Sequence, residues 1–272
     1  MRESLTNYLK RMTIYFIAII LSTWVLLPIF LITLAAFSVP SDYYNVHKIV
    51  PTSFTFKHVH DLFFTLGAWK ATFNSIMVAL ITIGISFGLG IPAGYSLSRF
   101  AFKGRESLKL AVLFIRMFPI MVIGVPLTVF YLNIGLADTL LGVALAHTAM
   151  VLPFVILITS SIFSGIPVEY EEAAMIFGLS RTGAFFRTTL PLALPGIAAA
   201  AMFAFIMSWN EVFVAAILTL TNRTLPAHIL TTALASIDPI KFAAGFIMLL
   251  PALIFILLTR KYLMTVWGIT LR

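Results

Sequence analysis

The sequence predicts an all-α, polytopic membrane protein with six transmembrane helices, and three observations support this fold class. Of the 272 residues, 61% are hydrophobic and only 10% are charged. The mean hydropathy is +1.05, which is not expected of a soluble globular chain. Apolar runs approaching about 20 residues, the length of helix that crosses a bilayer, recur along the chain.

The predicted spans are separated by polar or basic segments, and they cover residues 14–37, 69–97, 108–132, 139–163, 196–220 and 242–259. We interpret the first as a retained span, because it is long and lacks the small-residue cleavage site of a signal peptide. Residues 1–13 are predicted to be an N-terminal tail and 38–68 an external segment, and the transmembrane domain takes in 14–272. Small residues recur along the second span and predict close helix packing there: Gly84, Ser86, Gly88, Gly90 and Gly94.

The distribution of basic residues sets the predicted orientation. Six spans place both termini on one side of the membrane, and that side holds 12 of the 18 Lys and Arg residues. The opposite side holds five, and Arg116 lies within the third span. Because cytoplasmic loops carry the excess of Lys and Arg, both termini and the segment 164–195 are predicted to be cytoplasmic. The scatter of basic residues between spans also argues against a nucleic-acid surface, despite a net charge of +8.

The polar segment 164–195 lies between the fourth and fifth spans and is predicted to form two short helices. Pro167 suits the first position of one helix, and Gly178 predicts a left-handed end to it. Three glutamates lie in or near the first turn, where the helix dipole favours acidic groups. Ser180 is expected to cap the second helix, and Pro191 is expected to end it.

This segment resembles the cytoplasmic EAA loop of ATP-binding-cassette (ABC) importer permeases. Glu172-Ala173-Ala174 is followed at the matching spacing by Gly178 and by Leu190-Pro191, although Thr188 stands where the family usually has an apolar residue. The resemblance implies a coupling helix that fits a cleft on a separate ATPase subunit. The predicted docking residues are Glu169, Glu171, Glu172, Ala173, Ala174, Gly178 and Arg181.

The sequence contains no motif for catalysis or metal binding. It has no phosphate-binding loop, no H-E-x-x-H helix, no nucleophile elbow and no cysteine. His58 and His60 have i, i+2 spacing but no further ligands near them in the sequence. We therefore predict no catalytic residue, metal or cofactor in this chain, and the resemblance implies that ATP and Mg are bound by the partner ATPase subunits.

Glu211 lies deep in the fifth predicted span, where an ionisable side chain is costly and therefore a functional candidate. Trp209-Asn210-Glu211 resembles the W-N-[ED] signature of maltose-type carbohydrate permeases, in which this span borders the translocation path. On that interpretation Trp209 stacks on a sugar face, and the two polar residues bond to hydroxyl groups. Alternatively, Asn210 and Glu211 bond to a neighbouring helix and fix the packing. Both alternatives remain open.

Arg116 and Asn74 complete the candidate substrate path. Arg116 is expected either to pair with Glu211 or with a group on a partner subunit, or to extend toward the cytoplasmic interface. The helical rise places Arg116 about 12 Å and Glu211 about 22 Å from the cytoplasmic ends of their spans, a gap that two long side chains barely bridge. His147 is the lone histidine of the fourth span, and we expect it to be a hydrogen-bonded packing residue.

From the second span onward the chain is similar to permease subunits of maltose- and trehalose-type importers, with further matches at Asn74-Ser75, Tyr95–Arg105 and Met117-Phe118-Pro119. This resemblance implies the ABC type I importer permease fold in the cell membrane. It also implies a second, different permease subunit, two ATPase subunits and an extracytoplasmic solute-binding protein. The implied function is transport of a di- or oligosaccharide, such as maltose or trehalose, by alternating access.

Other functions stay open at this point. Within the importer family the solute could be a polyol, a glycerol phosphate or an amino acid, although a phosphorylated solute favours more buried cations than Arg116 alone. An ion-coupled secondary carrier could use Glu211 as its proton site, but such carriers usually hold more intramembrane carboxylates or broken helices. An intramembrane enzyme is disfavoured, because no nucleophile–base pair can be assembled from the sequence.

Overall fold

The computed structural model describes residues 2–48 and 50–266, which are predominantly helical and contain no β-strand. The chain forms two compact units, one of Met1–Gly67 with Thr231–Leu249 and the other of Ala68–Leu230 with Leu250–Arg272. The all-α prediction is therefore confirmed. The predicted cytoplasmic C-terminal residues 267–272 lie outside the described residues.

Thirteen α-helices are described within residues 2–48 and 50–266. In chain order they are α1 (Arg2–Phe37), α2 (Pro40–Tyr43), α3 (Lys57–His60), α4 (Ala68–Arg99), α5 (Arg105–Ile115), α6 (Ile120–Asn133), α7 (Leu140–Ser164), α8 (Glu169–Ile176), α9 (Arg181–Ala184), α10 (Leu190–Trp209), α11 (Phe213–Leu218), α12 (Leu225–Thr231) and α13 (Asp238–Val266). Two π-helical turns (Asp61–Thr65 and Phe185–Thr189) and a 3₁₀ turn (Ala233–Ala235) interrupt or join them.

Within residues 2–48 and 50–266, four helical segments are long and apolar enough to cross a bilayer: Asn7–Phe37, Ala68–Arg99, Leu140–Ser164 and Arg181–Trp209. They coincide with predicted spans one, two and four and with most of span five. The predicted sixth span, residues 242–259, falls within α13. The third predicted span is broken, so the count of six spans stays a prediction.

The first helix is longer than predicted. α1 runs without interruption from Arg2 to Phe37, with Pro28 inside it. Residues 2–13, which were expected to form a separate tail, are therefore helical. The physical reason is that no Gly or Pro occurs before Pro28 to end the helix.

The third predicted span is not one helix. α5 ends at Ile115 and α6 begins at Ile120, and the two axes bend by 83° at the break. Pro119 precedes α6 in an extended conformation, with ψ of 122°. Because proline has no N–H and restricts the residue before it, a helix cannot continue through this point without losing its hydrogen bonds. The prediction of a continuous span over 108–132 is wrong.

The fifth predicted span begins earlier and ends earlier than expected. A continuous helical segment runs from Arg181 through the π turn Phe185–Thr189 to Trp209, so Pro191 does not end the second helix of the loop. A π turn shifts the hydrogen-bonding register, which lets a helix accommodate a proline that cannot donate. The chain then breaks at residues 210–212 before α11. Glu211 therefore lies at a helix break and not inside a helix.

In the second unit, α4 packs closely on α7 at two glycines. A Cβ at Gly94 would collide with the side chain of Thr159, and Gly90 O accepts a hydrogen bond from Thr159 Oγ1 at 3.1 Å. Gly84 and Gly88 have no atom within 4 Å of where a Cβ would lie. The predicted close packing is thus confirmed for Gly90 and Gly94 and is wrong for the other two glycines.

In the first unit, the predicted external segment 38–68 is ordered around one buried carboxylate. Asp42 accepts hydrogen bonds from Lys48 Nζ at 2.6 Å and from the backbone N–H groups of Thr52 and Ser53 at 2.8 and 3.0 Å. The Lys48 ammonium, followed by these donors, holds the pKa of Asp42 well below its usual range. His58 Nε2 lies 3.0 Å from Ser38 O and so stabilises the same segment.

Candidate functional site

The predicted docking loop has the two helices that its sequence indicates. α8 spans Glu169–Ile176, and Gly178 ends it with a φ of +93°, as expected for a left-handed stop. Ser180 Oγ accepts the N–H of Gly183 at 3.2 Å and caps α9. Pro167 precedes α8 by two residues, so its predicted place at the first helical position is wrong.

One face of this loop is exposed and suited to contact with another protein. Five of the predicted docking residues are exposed and one, Ala174, is half-buried; the exposed ones are Glu169, Glu172, Ala173, Gly178 and Arg181. At the C-terminal end of α8, Ile176 and Phe177 are 84% and 88% exposed. Large apolar side chains this exposed beside acidic groups indicate an interaction surface.

Glu171 differs from the other predicted docking residues because its side chain is buried inside this chain. Arg99 Nε donates to Glu171 Oε1 at 2.7 Å, and Tyr95 Oη donates to Glu171 Oε2 at 2.7 Å. Arg99 Nη2 also donates to Ile166 O at 3.0 Å. The prediction that Glu171 contacts a partner is therefore corrected: its carboxylate is fully engaged with α4.

The surroundings of Glu171 favour its ionised form. Burial alone would raise the pKa of this carboxyl, but the hydrogen bond from Tyr95 and the hydrogen bond and positive charge of Arg99 lower the pKa below its ordinary value. Glu171 is thus a charged group buried at the base of the docking loop.

A polar cluster lies where predicted span five breaks. His147 Nδ1 lies 2.9 Å from Ser208 Oγ, and His147 Nε2 lies 3.1 Å from Glu211 Oε2. Glu211 also accepts the backbone N–H groups of Val214 and Ala215 at 2.9 and 3.0 Å, and so caps the first turn of α11. When the Glu211 carboxyl is ionised it only accepts, and the shared proton then lies on His147 Nε2.

These contacts decide two predictions. Glu211 pairs with His147, not with Arg116, so the proposed Arg116–Glu211 pair within the chain is wrong. The guanidinium carbon of Arg116 lies 2.9 Å from the ring centroid of Phe154, a cation–π contact. His147 is buried between two partners, as expected of a hydrogen-bonded packing residue.

Arg116 lines a cavity of about 380 Å³ in the second unit. The walls come from the α5–α6 break, α6, α7 and α10, and they are mostly apolar, with Tyr131 adding a phenol group. The volume falls within the range of small-molecule sites, and one cation among apolar walls is the kind of polar group that orients a ligand there.

The remaining candidates for the substrate path are divided between exposed and buried positions. Trp209 is fully buried and stacks on Phe205, with ring centroids 5.9 Å apart. Asn74 is buried, and its side-chain amide donates to Arg223 O at 3.0 Å. Asn210 is exposed at the break. Of the substrate-path candidates, Asn210 is exposed, Glu211 is half-buried at the same break, and Arg116 lines the cavity.

No group of three or more potential metal ligands occurs among residues 2–48 and 50–266. Within this part of the chain, His60 lies beside Asp61 at 3.6 Å and against the ring of Phe64. Neither His58 nor His60 thus has the further ligands that a metal site needs.

Two sets of partners were missed by sequence reasoning. Tyr95 and Arg99 both bond to Glu171, which lies 76 and 72 positions further along the chain, respectively. Nothing in the local sequence pattern indicates these contacts. The His147–Glu211 pair had a signal: both are ionisable residues in predicted spans, and such residues usually pair with one another.

The comparisons with known proteins agree with this geometry. Residues 86–263 match the family described as "Binding-protein-dependent transport system inner membrane component". The chain is 33% identical over 220 residues to the trehalose transport system permease protein SugB of Mycobacterium tuberculosis, covering 79% of this chain and 80% of that protein. It is 27% identical over 253 residues to the diacetylchitobiose uptake system permease protein DasC of Streptomyces coelicolor, covering 90% and 91%.

The fold has solved counterparts. A crystal structure of a bacterial ABC transporter that imports the acidic polysaccharide alginate matches 94% of this chain and 97% of its own, with a TM-score of 0.74 at 20% identity. Two inward-facing structures of the methionine ABC transporter MetNI match 78% of this chain and 99% of their own, with TM-scores of 0.63 and 0.61 at 16% identity. These likenesses establish the fold. The chain belongs to the family of binding-protein-dependent transport system inner membrane components, and it is a multi-pass permease subunit of an ABC importer, not an enzyme.

Proposed function

We propose that this permease subunit carries a di- or oligosaccharide of the maltose or trehalose class across the cell membrane. The proposal is supported by relatives named for trehalose and diacetylchitobiose. The cavity of about 380 Å³ at Arg116, with the exposed Asn210 at the helix break, supplies a polar group and open volume for a solute. Trp209, Asn74 and Glu211, which bond within the chain, hold the walls of the path in place.

We further propose the composition of the importer. A second, different permease subunit pairs with this chain, two ATPase subunits bind the cytoplasmic loops, and an extracytoplasmic solute-binding protein delivers the sugar. A bacterial alginate ABC transporter has been solved in complex with an alginate pentasaccharide-bound periplasmic protein, and this supports the binding-protein part of the proposal. ATP and Mg are bound by the ATPase subunits, and this chain needs no cofactor of its own.

One observation carries the docking part of the proposal. The exposed face of α8, with Glu172, Ala173 and the almost fully exposed Phe177, is presented by a helix whose base is fixed by Glu171. A small, acidic and apolar surface on a helix held at its base fits insertion into a cleft on another protein. Alternating access then follows if ATP-driven closure of the ATPases moves the docking loops together.

The test of the transport proposal is reconstitution of the complex with its co-encoded subunits in proteoliposomes. We expect maltose, trehalose or a related oligosaccharide, delivered by the binding protein, to stimulate ATP hydrolysis and to accumulate inside. Polyols, glycerol phosphates and amino acids serve as competing solutes, and stimulation by one of these alone would contradict the sugar assignment. Uptake that follows a proton gradient without ATP would support the secondary-carrier alternative.

The docking proposal makes a prediction for Glu172→Arg. Reversal of charge on the exposed face of α8 should leave the permease inserted but reduce its copurification with the ATPase by about tenfold or more, because a like charge or clash in a closely packed interface is strongly unfavourable. The matched control is Glu106→Arg, an exposed acid on α5 outside the loop. Copurification of Glu172→Arg with a fully stimulated ATPase would disprove the assignment.

A further inference from the structure

The docking helix α8 is attached to the rest of the chain by two non-helical joints. Residues 165–168 connect α7 to α8, and the left-handed Gly178 lies between α8 and α9. Such joints allow a short helix to rotate relative to the longer helices on either side. The backbone alone therefore does not make α8 move as one body with the membrane-spanning helices.

The side chains of Tyr95, Arg99 and Glu171 supply the missing connection, and we call these three residues the latch. The carboxylate of Glu171, on α8, receives one hydrogen bond from each of the two α4 side chains, both at 2.7 Å. The side chains of Arg99 and Glu171 are only 10% and 5% exposed. Arg99 also donates to Ile166 O at 3.0 Å, so the first joint is tied to α4 as well.

Aromatic contacts extend the latch to the neighbouring elements. The ring of Tyr95 lies 5.7 Å from that of Phe163 at the end of α7 and 4.7 Å from that of Phe185 in the π turn. Both pairs are edge-to-face, the arrangement that adds directional stabilisation to apolar burial. The hydroxyl group and the ring of Tyr95 thus connect four elements: α4, α7, α8 and the π turn.

The chemistry of the latch indicates a purpose beyond folding. A buried ion pair is seldom more stabilising than apolar residues of the same volume, because both charges lose their hydration. The advantage of an ion pair is that its hydrogen bonds are directional. A carboxylate held by two donors fixes α8 in one orientation, whereas an apolar contact permits sliding. The docking face of Glu172 and Ala173 is left free by this arrangement.

We propose that Tyr95 and Arg99 are positioning residues that couple the docking helix to α4, so that movement of α8 is passed to the membrane-spanning helices. The close packing of Gly90 and Gly94 on α7 then carries the movement from α4 to a second span. This inference rests on the proposed docking function of α8, and it assigns a transmission role to residues whose side chains bond within this chain.

The test uses the absence of cysteine from the chain. In the double variant Arg99→Cys with Glu171→Cys, the ion pair is replaced by two thiols that a short bis-methanethiosulfonate linker can join and a reductant can release. The measured quantity is the amount of sugar imported per ATP hydrolysed by the reconstituted complex. Single-cysteine variants with the linker, and Glu106→Gln at an exposed ion pair, are the controls.

We expect the reduced double variant to retain the ATPase subunits and to hydrolyse ATP, but to import about tenfold less sugar per ATP, and the linker should recover most of that loss. The conservative variant Arg99→Lys, which keeps the charge, should retain more coupling than Arg99→Met. Two results would overturn the proposal: unchanged sugar per ATP in the reduced double variant, or a loss that the linker does not recover although the complex remains assembled. If the wild-type complex fails to assemble or is not stimulated by any sugar, that result contradicts the proposed function and not the role of the latch.

Discussion

At the scale of single residues, two carboxylates hold parts of the second unit that the backbone does not hold: the buried Glu171 and the half-buried Glu211. Glu171 ties α8 to α4, and Glu211 caps α11 while bonding to His147. Each accepts hydrogen bonds from two or more donors, which offsets the cost of removing a carboxyl group from water. Glutamate thus has two structural uses in this chain: Glu171 fixes the loop that contains α8, and Glu211 fixes the helix break before α11.

Glu211 makes a prediction about stability. Glu211→Ala removes the acceptor for two backbone N–H groups and leaves His147 Nε2 without its partner, so we expect a loss of about 3 kcal/mol or more in the free energy of unfolding. Glu211→Gln keeps an acceptor oxygen and should lose about 1 kcal/mol. Thermal unfolding of the detergent-purified permease measures both. Equal melting temperatures for the wild type and Glu211→Ala would contradict the cap described here.

Asp138 makes a prediction about pH. It lies in the turn between α6 and α7 with a φ of +55°, and its Oδ1 accepts the backbone N–H groups of Leu220, Thr221 and Asn222, each at 2.9 Å. Burial would raise its pKa, but these donors lower it below the ordinary value. A lowered pKa means that its stabilisation is present above the unfolded pKa of about 4 and is lost as the pH falls through the folded pKa.

The variant Asp138→Asn isolates this effect, because asparagine tolerates the same positive φ and does not titrate. We expect the melting temperature of the wild type to fall more steeply than that of Asp138→Asn as the pH is lowered from 6 to about 3. Parallel curves would show that the carboxylate charge contributes nothing to the turn.

At the scale of helices, small residues set the distance between α4 and α7. Gly94→Ala places a methyl group against Thr159 and the backbone N of Ser160, so the helices must separate, at an expected cost of about 1–3 kcal/mol. Gly84→Ala is the matched control on the same helix, because its Cβ meets nothing, and it should be neutral or stabilising by up to about 1 kcal/mol. Comparison of the two melting temperatures decides the point, and similar shifts would refute a packing role for Gly94.

Helix existence was predictable from the sequence, and helix breaks were not. Long apolar runs located α4 and α7 because length and hydropathy are local properties. The 83° bend beside Pro119 and the continuation through Pro191 were missed, although both prolines are visible in the sequence. The outcome at a proline depends on whether neighbouring helices and π turns satisfy the freed backbone groups, which is a tertiary property.

The candidate site was predictable to a similar extent. The loop motif located the exposed face of α8, since turn and cap residues act locally. The burial of Glu171 could not be read from the same motif, because adjacent glutamates on a helix point in different directions and only the position of α4 decides which one is covered. For the same reason Arg116 was one candidate partner of Glu211 in the sequence, whereas the structure gives His147.

At the scale of the whole molecule, the excess of Lys and Arg on one side predicts which ends face the cytoplasm. Because the chain has no cysteine, single introduced cysteines report their side of the membrane. We expect a membrane-impermeant maleimide to label Val46→Cys in intact cells, and to label Lys103→Cys and Glu169→Cys only after permeabilisation. All three side chains are exposed. Labelling of Glu169→Cys in intact cells would show that the docking loop faces the outside, where it could not contact a cytoplasmic ATPase.

The uninterrupted helical segment Arg181–Trp209 has a mechanical consequence. Its 29 residues form a rod about 43 Å long, with the docking loop at one end and the Asn210 break at the other. If the rod is stiff, a swing of about 10° about one end displaces the other by about 7 Å, roughly the width of a sugar ring. A small rotation at the loop end of this rod would thereby become a displacement of several ångströms at the break.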